Sequence, residues 1–281
     1  MDHEGHLLFE SKLYQENPEL RYVKGLNIDF VVDKLINYPR YRPFQMNDTV
    51  KLCKEYCESE DFRQKLLSKV INACPSLIYR LYKQGTLSFE EIEVALPQHT
   101  YDIIYLYFHK EFSNSGCINE DIYSLYSINK EFFDDYERVE LILEYGFHPS
   151  SLEYSLKYDD DLSISEQNID LSKYIDREYE WSIFEWSKKP LSRNYLAFAG
   201  FFGSVRCFRK MILIGFCVDI HIAIDSISSG SNDIYHMLKL NSNRQFLKNA
   251  VEFCHIPLMQ YLIDQEEKNE SHHTLYILTI F

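Results

Sequence analysis

The stretch Tyr195-Leu-Ala-Phe-Ala-Gly-Phe-Phe-Gly-Ser-Val-Arg-Cys-Phe-Arg-Lys-Met-Ile-Leu-Ile-Gly215 reads as a helix, a tight turn and a second helix. Ala199 and Gly200 are small enough to let two helices approach closely, and Gly203 permits the turn. Cys207, Phe208, Met211 and Ile212 follow at i, i+1, i+4 and i+5, one buried helical face. Gly215 then ends the second helix from the position just past its last turn.

The same register recurs twice downstream. Ser226, Gly230, Ile234 and Leu238 stand where Ala199, Gly203, Cys207 and Met211 stand, and Ala250, Cys254, Leu258 and Leu262 repeat the pattern. The spacing is 27 residues from Gly203 to Gly230 and 24 from Gly230 to Cys254. Helix pairs repeating at a fixed short spacing predict a stacked array.

This arrangement resembles degenerate ankyrin units, which run to about 33 residues, so the shorter spacing implies helix pairs without most of the projecting hairpin. The Thr-Pro-Leu-His that opens an ankyrin unit is replaced by Asn194-Tyr-Leu-Ala197, His221-Ile-Ala-Ile224 and Gln245-Phe-Leu-Lys248. Without that Thr and His, the array is expected to be irregular, resting mainly on apolar packing with less polar bracing. The resemblance extends to Cys74-Pro-Ser-Leu-Ile-Tyr-Arg-Leu81, Phe89-Glu-Glu-Ile-Glu93, Leu152-Glu-Tyr-Ser-Leu-Lys-Tyr-Asp-Asp160, Phe184-Glu-Trp-Ser-Lys-Lys-Pro190 and Phe201-Phe-Gly-Ser-Val-Arg-Cys-Phe208. These segments are similar to a large family of ankyrin-type proteins of parasitic protists, which pair a helical N-terminal region with degenerate ankyrin units. The resemblance implies a fold more than an activity.

The chain has 281 residues, 46% of them hydrophobic, enough for a sizeable core in one or two domains. Tyr and Phe number 22 and 19 against 9 Gly and 8 Pro, a balance that suits helices with short connections better than a many-stranded sheet. The fold class expected is all-α, an α-solenoid of stacked helix pairs that is ankyrin-like in its C-terminal half.

Outward from the repeats, Ile28–Ile36 has helical apolar spacing, and Asp48-Thr49 caps a helix through Cys57. Further helices are expected from Asp61 to Ala73, from Pro75 through Tyr82 with Gly85 beyond its end, and from the Ser88/Glu91 capping box to a point before Pro97. Another runs from Tyr101 to Lys110, and Ser113-Asn-Ser-Gly116 reads as a surface break. Val139–Gly146 resembles the second half of a repeat, and Asp159–Gln167 reads as an acidic loop. Three regions follow: a helical N-terminal part at 1–130, a helical connection at 131–190 and the repeats with an apolar tail at 191–281.

The balance of 29 basic against 43 acidic residues gives a formal charge of −14, which disfavours nucleic acid and favours a basic or neutral partner. Met1–Glu10 lacks a basic region and an apolar run, so no secretory signal is expected. The longest apolar stretch, Met211–Ile224, is interrupted by Asp219 and His221 and falls short of a membrane span. Seven cysteines without tandem Cys-x-x-Cys pairs predict free thiols in a reducing compartment, and a cytoplasmic location. Cys53 and Cys57 read as core packing beside Val50 and Tyr56 rather than a metal site, since no partner pair lies nearby.

Sharper readings were weighed against plainer ones. Asp159-Asp-Asp161 lacks the spaced oxygens and sixth-position Gly of an EF-hand, which leaves a solvated acidic loop. His272-His273 reads as a surface pair and Cys254-His255 as packing, with no triad partner marked. Trp181 and Trp186 either cover the first face of the array or anchor a partner, and covering is the stronger reading. The uncharged tail Thr274–Phe281 is expected to dock on the last helix pair or to promote self-association.

No phosphate loop, nucleophile elbow, zincin helix or kinase signature is present, so neither cofactor nor metal is expected. The function expected is a non-enzymatic protein-interaction scaffold with a concave ankyrin-like surface and a protein partner. Non-core repeat positions Tyr195, Arg206, Arg209, Asp233 and His236 are the candidate contacts. Two alternatives stand beside it: an enzyme or substrate-recruiting subunit with its site in the N-terminal half, and a truncated, degenerate repeat protein.

Overall fold

The computed structural model describes residues 27–41, 46–96, 103–115, 123–124, 128, 130–185, 187, 189–238, 244–253 and 255–269. Among these the chain is helical, with no strand and a single isolated bridge between Glu178 and Asn194. The chain divides into two compact units: Met1–Pro149 with Ser182–Lys188, and Ser150–Trp181 with Lys189–Phe281.

In the first unit, α1 (Ile28–Tyr41) packs on α2 (Met46–Tyr56) and α3 (Glu60–Ala73), and α3 packs on α4 (Pro75–Lys83) and α5 (Phe89–Ala95). Each boundary has a local cause. Ser59 caps α3 by accepting from Phe62 N, Pro75 opens α4 at a position whose N–H has no helical partner, and Ser88 with Glu91 forms a full capping box on α5. The helix read from Asp48-Thr49 begins two residues earlier, at Met46, with Asp48 in its first turn.

Ser113-Asn-Ser-Gly116 is not a break as far as Ser115. The helices α6 (Ile104–Tyr107) and α7 (His109–Ser115) occupy this stretch, and buried Phe112 packs on Phe89 and Tyr105, holding the polar residues in helix. The helix α8 (Tyr136–Tyr145), capped by Asp135, ends at left-handed Gly146 and packs on α4 and on a 3₁₀ turn at Lys130–Phe133.

The core of this unit is rich in aromatic residues, and the returning segment supplies one of its largest. Phe184 meets Tyr107 edge-on and stacks on Phe132, while the Tyr107 hydroxyl donates to the Phe184 carbonyl at 3.0 Å. Cys53, Cys57 and Cys74 are buried free thiols in the same core, as expected for Cys53 and Cys57.

The second unit contains four pairs of helices: α9 (Leu152–Lys157) with α10 (Asp161–Glu166), α11 (Tyr195–Phe201) with α12 (Val205–Ile214), α13 (Ile220–Ile227) with α14 (Asn232–Leu238), and α15 (Arg244–Glu252) with α16 (Ile256–Asn269). The last three are the pairs read from the repeated register. The first overturns the loop expected over Asp159–Gln167, because the Asp160 carboxylate accepts from Ser163 N and starts a helix there.

A shared register explains why these segments pair. A small residue, Ser155, Ala199 or Ser226, precedes by four residues a backbone in the left-handed region, with φ of 54° at Asp159, 74° at Gly203 and 69° at Gly230. The close approach is tightest between α11 and α13. A Cβ on Gly200 would overlap the Ser226 hydroxyl and lie 3.0 Å from its Cβ and 3.1 Å from Phe208. Neighbouring first helices pack in succession, α9 on α11, α11 on α13 and α13 on α15, and α12 packs on α14.

The expectation of little polar bracing is corrected. The Ser204 hydroxyl donates to the Leu156 carbonyl, and His255 Nε2 lies 2.6 Å from the Ser228 carbonyl, which can only accept, so that nitrogen carries the proton. Ser204 and His255 hold equivalent places, just after the turn. Asn249 donates to the Ile224 carbonyl and to Ser228 Oγ, and buried Asp225 accepts from Leu191 N at 2.7 Å and Ser192 N at 2.8 Å. These bonds do what the missing Thr and His do elsewhere: they pair buried backbone groups that apolar packing would leave orphaned.

Candidate interaction surface

Arg206, Arg209, Asp233 and His236 are exposed on the second helices α12 and α14, which pack against each other. Each helix presents two of them at a spacing of three, the spacing that puts side chains on one face. Tyr195 is elsewhere. Expected at a non-core position, it is only 7% exposed on α11, its ring packs edge-on against Tyr174 and Tyr179, and its hydroxyl donates to Glu153 at 2.8 Å. An aromatic ring that large is held by the core once neighbouring first helices pack against it.

Arg206 has a structural partner. Its backbone N–H and Nε both donate to Asp159 Oδ2 at 3.2 Å, its guanidinium also donates to the Asp159 carbonyl, and Nη1 lies 3.1 Å from Asp161. The Asp159 carboxylate also accepts from Cys207 N at 2.9 Å. The acidic triple Asp159-Asp-Asp161 is therefore not simply solvated: two members clamp the start of α12 and the third caps α10. Arg209 and Asp233 remain open to solvent, and the exposed His236 ring leans on Tyr235 and Tyr261.

The most conspicuous surface feature is apolar. Leu213 is 81% exposed, and Ile214, Val218 and Ile220 lie exposed beside it in sequence, on the end of α12 and the connection into α13. Phe216 between them is buried and anchors the connection, Asp219 caps α13 by accepting from Ile222 N at 2.8 Å, and exposed Cys217 belongs to the same strip. Apolar side chains grouped in one exposed segment lose free energy to water that a binding partner would recover. The signal was present in the sequence as the apolar run Met211–Ile224, but that run was read only against the length of a membrane span. Among the described residues, no helix is long and apolar enough to cross a membrane.

The remaining groups offer little reactive chemistry. Burial pushes the Cys57 and Cys74 thiols up to about 12, and it raises those of Cys53 and Cys207 as well, so these sulfurs stay protonated and weakly nucleophilic. Among the described residues, no three His, Cys, Asp or Glu side chains are grouped to hold a metal ion. Trp181 packs near Phe198 and Phe202 at 6.0 and 6.3 Å, in keeping with the covering role, while Trp186, His272, His273, Cys254 and the tail Thr274–Phe281 lie outside the described residues.

No family model, curated protein or solved structure matches this chain.

Proposed function

We propose that the chain is a non-enzymatic protein-interaction module whose second unit is a short α-solenoid of the ankyrin type. The succession of packed first helices, the recurring left-handed turn and the equivalent bonds from Ser204 and His255 support a stacked array. The observation that carries the interaction reading is the exposed apolar strip Leu213–Ile220, which the array presents at a junction between two helix pairs. Arg209, Asp233 and His236 lie on the same two pairs and supply polar contacts at its margin, while Arg206 serves the array itself. A concave face formed by successive pairs, with this strip at one junction, suits a protein partner of basic or neutral character, given the formal charge of −14.

Affinity capture with the full chain, repeated with Leu213→Asp/Ile220→Asp, tests this. Both positions are exposed, so helicity and melting temperature should stay near those of the wild type while the captured partner is lost. A partner held equally well by the folded variant would overturn the strip's role.

A further inference from the structure

The strip has a candidate occupant within the chain. The last described helix ends at Asn269, and twelve more residues follow. After the polar segment Glu270-Ser-His-His273 comes Thr274-Leu-Tyr-Ile-Leu-Thr-Ile-Phe281, eight residues without a charge. Twelve residues span up to about 40 Å when extended. A compact body the size of the second unit has a radius of gyration of about 14 Å, so the segment can reach across it. The strip itself offers Leu213, Ile214, Val218 and Ile220, and its one carboxylate, Asp219, is turned to capping α13. Two uncharged apolar surfaces can meet here without desolvating an ion.

We infer that Thr274–Phe281 folds back onto the Leu213–Ile220 strip of the same chain and competes there with the partner. This rests on the reading of the strip as a docking surface. Charge and tethering favour the same chain over a second copy. Two molecules each carrying −14 repel one another, whereas a short tether holds the segment at millimolar effective concentration.

Cys217 lies within the strip, is exposed and is free, which makes it a built-in reporter. Its maleimide labelling rate, resolved from the other thiols by peptide mass spectrometry, is compared between the wild-type full chain and the full-chain variant Leu275→Ser/Ile277→Ser/Ile280→Ser. An effective concentration on the order of 1 mM acting on an intrinsic Kd on the order of 0.1 mM gives about tenfold slower labelling in the wild type. The peptide Thr274–Phe281, added to the variant, should restore protection. Equal rates in the two proteins would overturn the inference, and so would protection that strengthens with protein concentration, the mark of a second copy. The labelling needs no partner, so the two readings fail separately. Protection of Cys217 by the tail together with capture indifferent to Leu213→Asp/Ile220→Asp would sink only the strip's role toward a partner, and labelling indifferent to the tail would sink only the fold-back.

Discussion

Asp225 shows how one side chain can set a pH dependence. Its carboxylate is buried, and burial pushes its pKa up to about 6, although the N–H groups of Leu191 and Ser192 favour the ionised form. The unfolded chain releases this proton near 3.8, so between about pH 4 and 6 the folded state binds more protons than the unfolded one. The contribution to stability is therefore greatest below pH 4 and declines as pH rises to about 6. Relative to Asp225→Asn, the wild type should lose on the order of 3 kcal/mol across that window, read from urea midpoints at each pH. The amide of the variant turns an N–H₂ toward one of the two backbone donors, which lowers its stability at every pH without adding a slope. A flat difference between the two proteins would show that Asp225 titrates as an exposed carboxylate does. At this scale the sequence was legible where a residue type has one dominant use, as with Gly203, Gly215 and the Ser88/Glu91 box. It was misread at Tyr195, whose burial depends on Tyr174 and Tyr179 from a distant segment.

Helix pairs are the next scale, and α9 with α10 is the instructive case. This pair carries the register of the three that were read, yet Asp159 and Asn168 hold its left-handed positions, with φ of 54° and 52°, where the next pair has Gly203 and Gly215. Asp and Asn tolerate that region better than other side-chain-bearing residues, but they are also common in loops, so the sequence alone favoured a loop. Asp159 has a second duty, since its carboxylate receives the backbone N–H groups of both Arg206 and Cys207. Asp159→Ala should cost about 1–3 kcal/mol by orphaning those donors. Asp159→Asn, which keeps one acceptor and the tolerance for positive φ, should cost less than half of that in the same denaturant titration. Equal losses would assign the effect to charge alone. The apolar strip was hidden by a related ambiguity: a run such as Met211–Ile224 looks the same in sequence whether its members face inward or out, and only the pairing of α12 with α11 and α14 decides which do.

For the whole molecule, the notable feature is the path of the chain, which enters the second unit at Ser150, returns to the first for Ser182–Lys188, and goes back at Lys189. Nothing in the composition of that short segment announces the return; only the packing of Phe184 between Tyr107 and Phe132 reveals it. Phe184→Ala should cost about 3–5 kcal/mol. Hydrogen exchange should localise the loss to the helices of the first unit between Met46 and Ala95, with those between Val205 and Leu238 keeping their protection. Loss spread evenly over both would mean that the two units open together. The path also bears on how the protein is made. Domains emerging from the ribosome generally fold in order, the N-terminal one first. Here the first unit cannot complete its core until Phe184 has been synthesised, by which time α9 and α10 have already emerged and must wait for α11 to pack against. The nascent chain therefore carries two unfinished units at once.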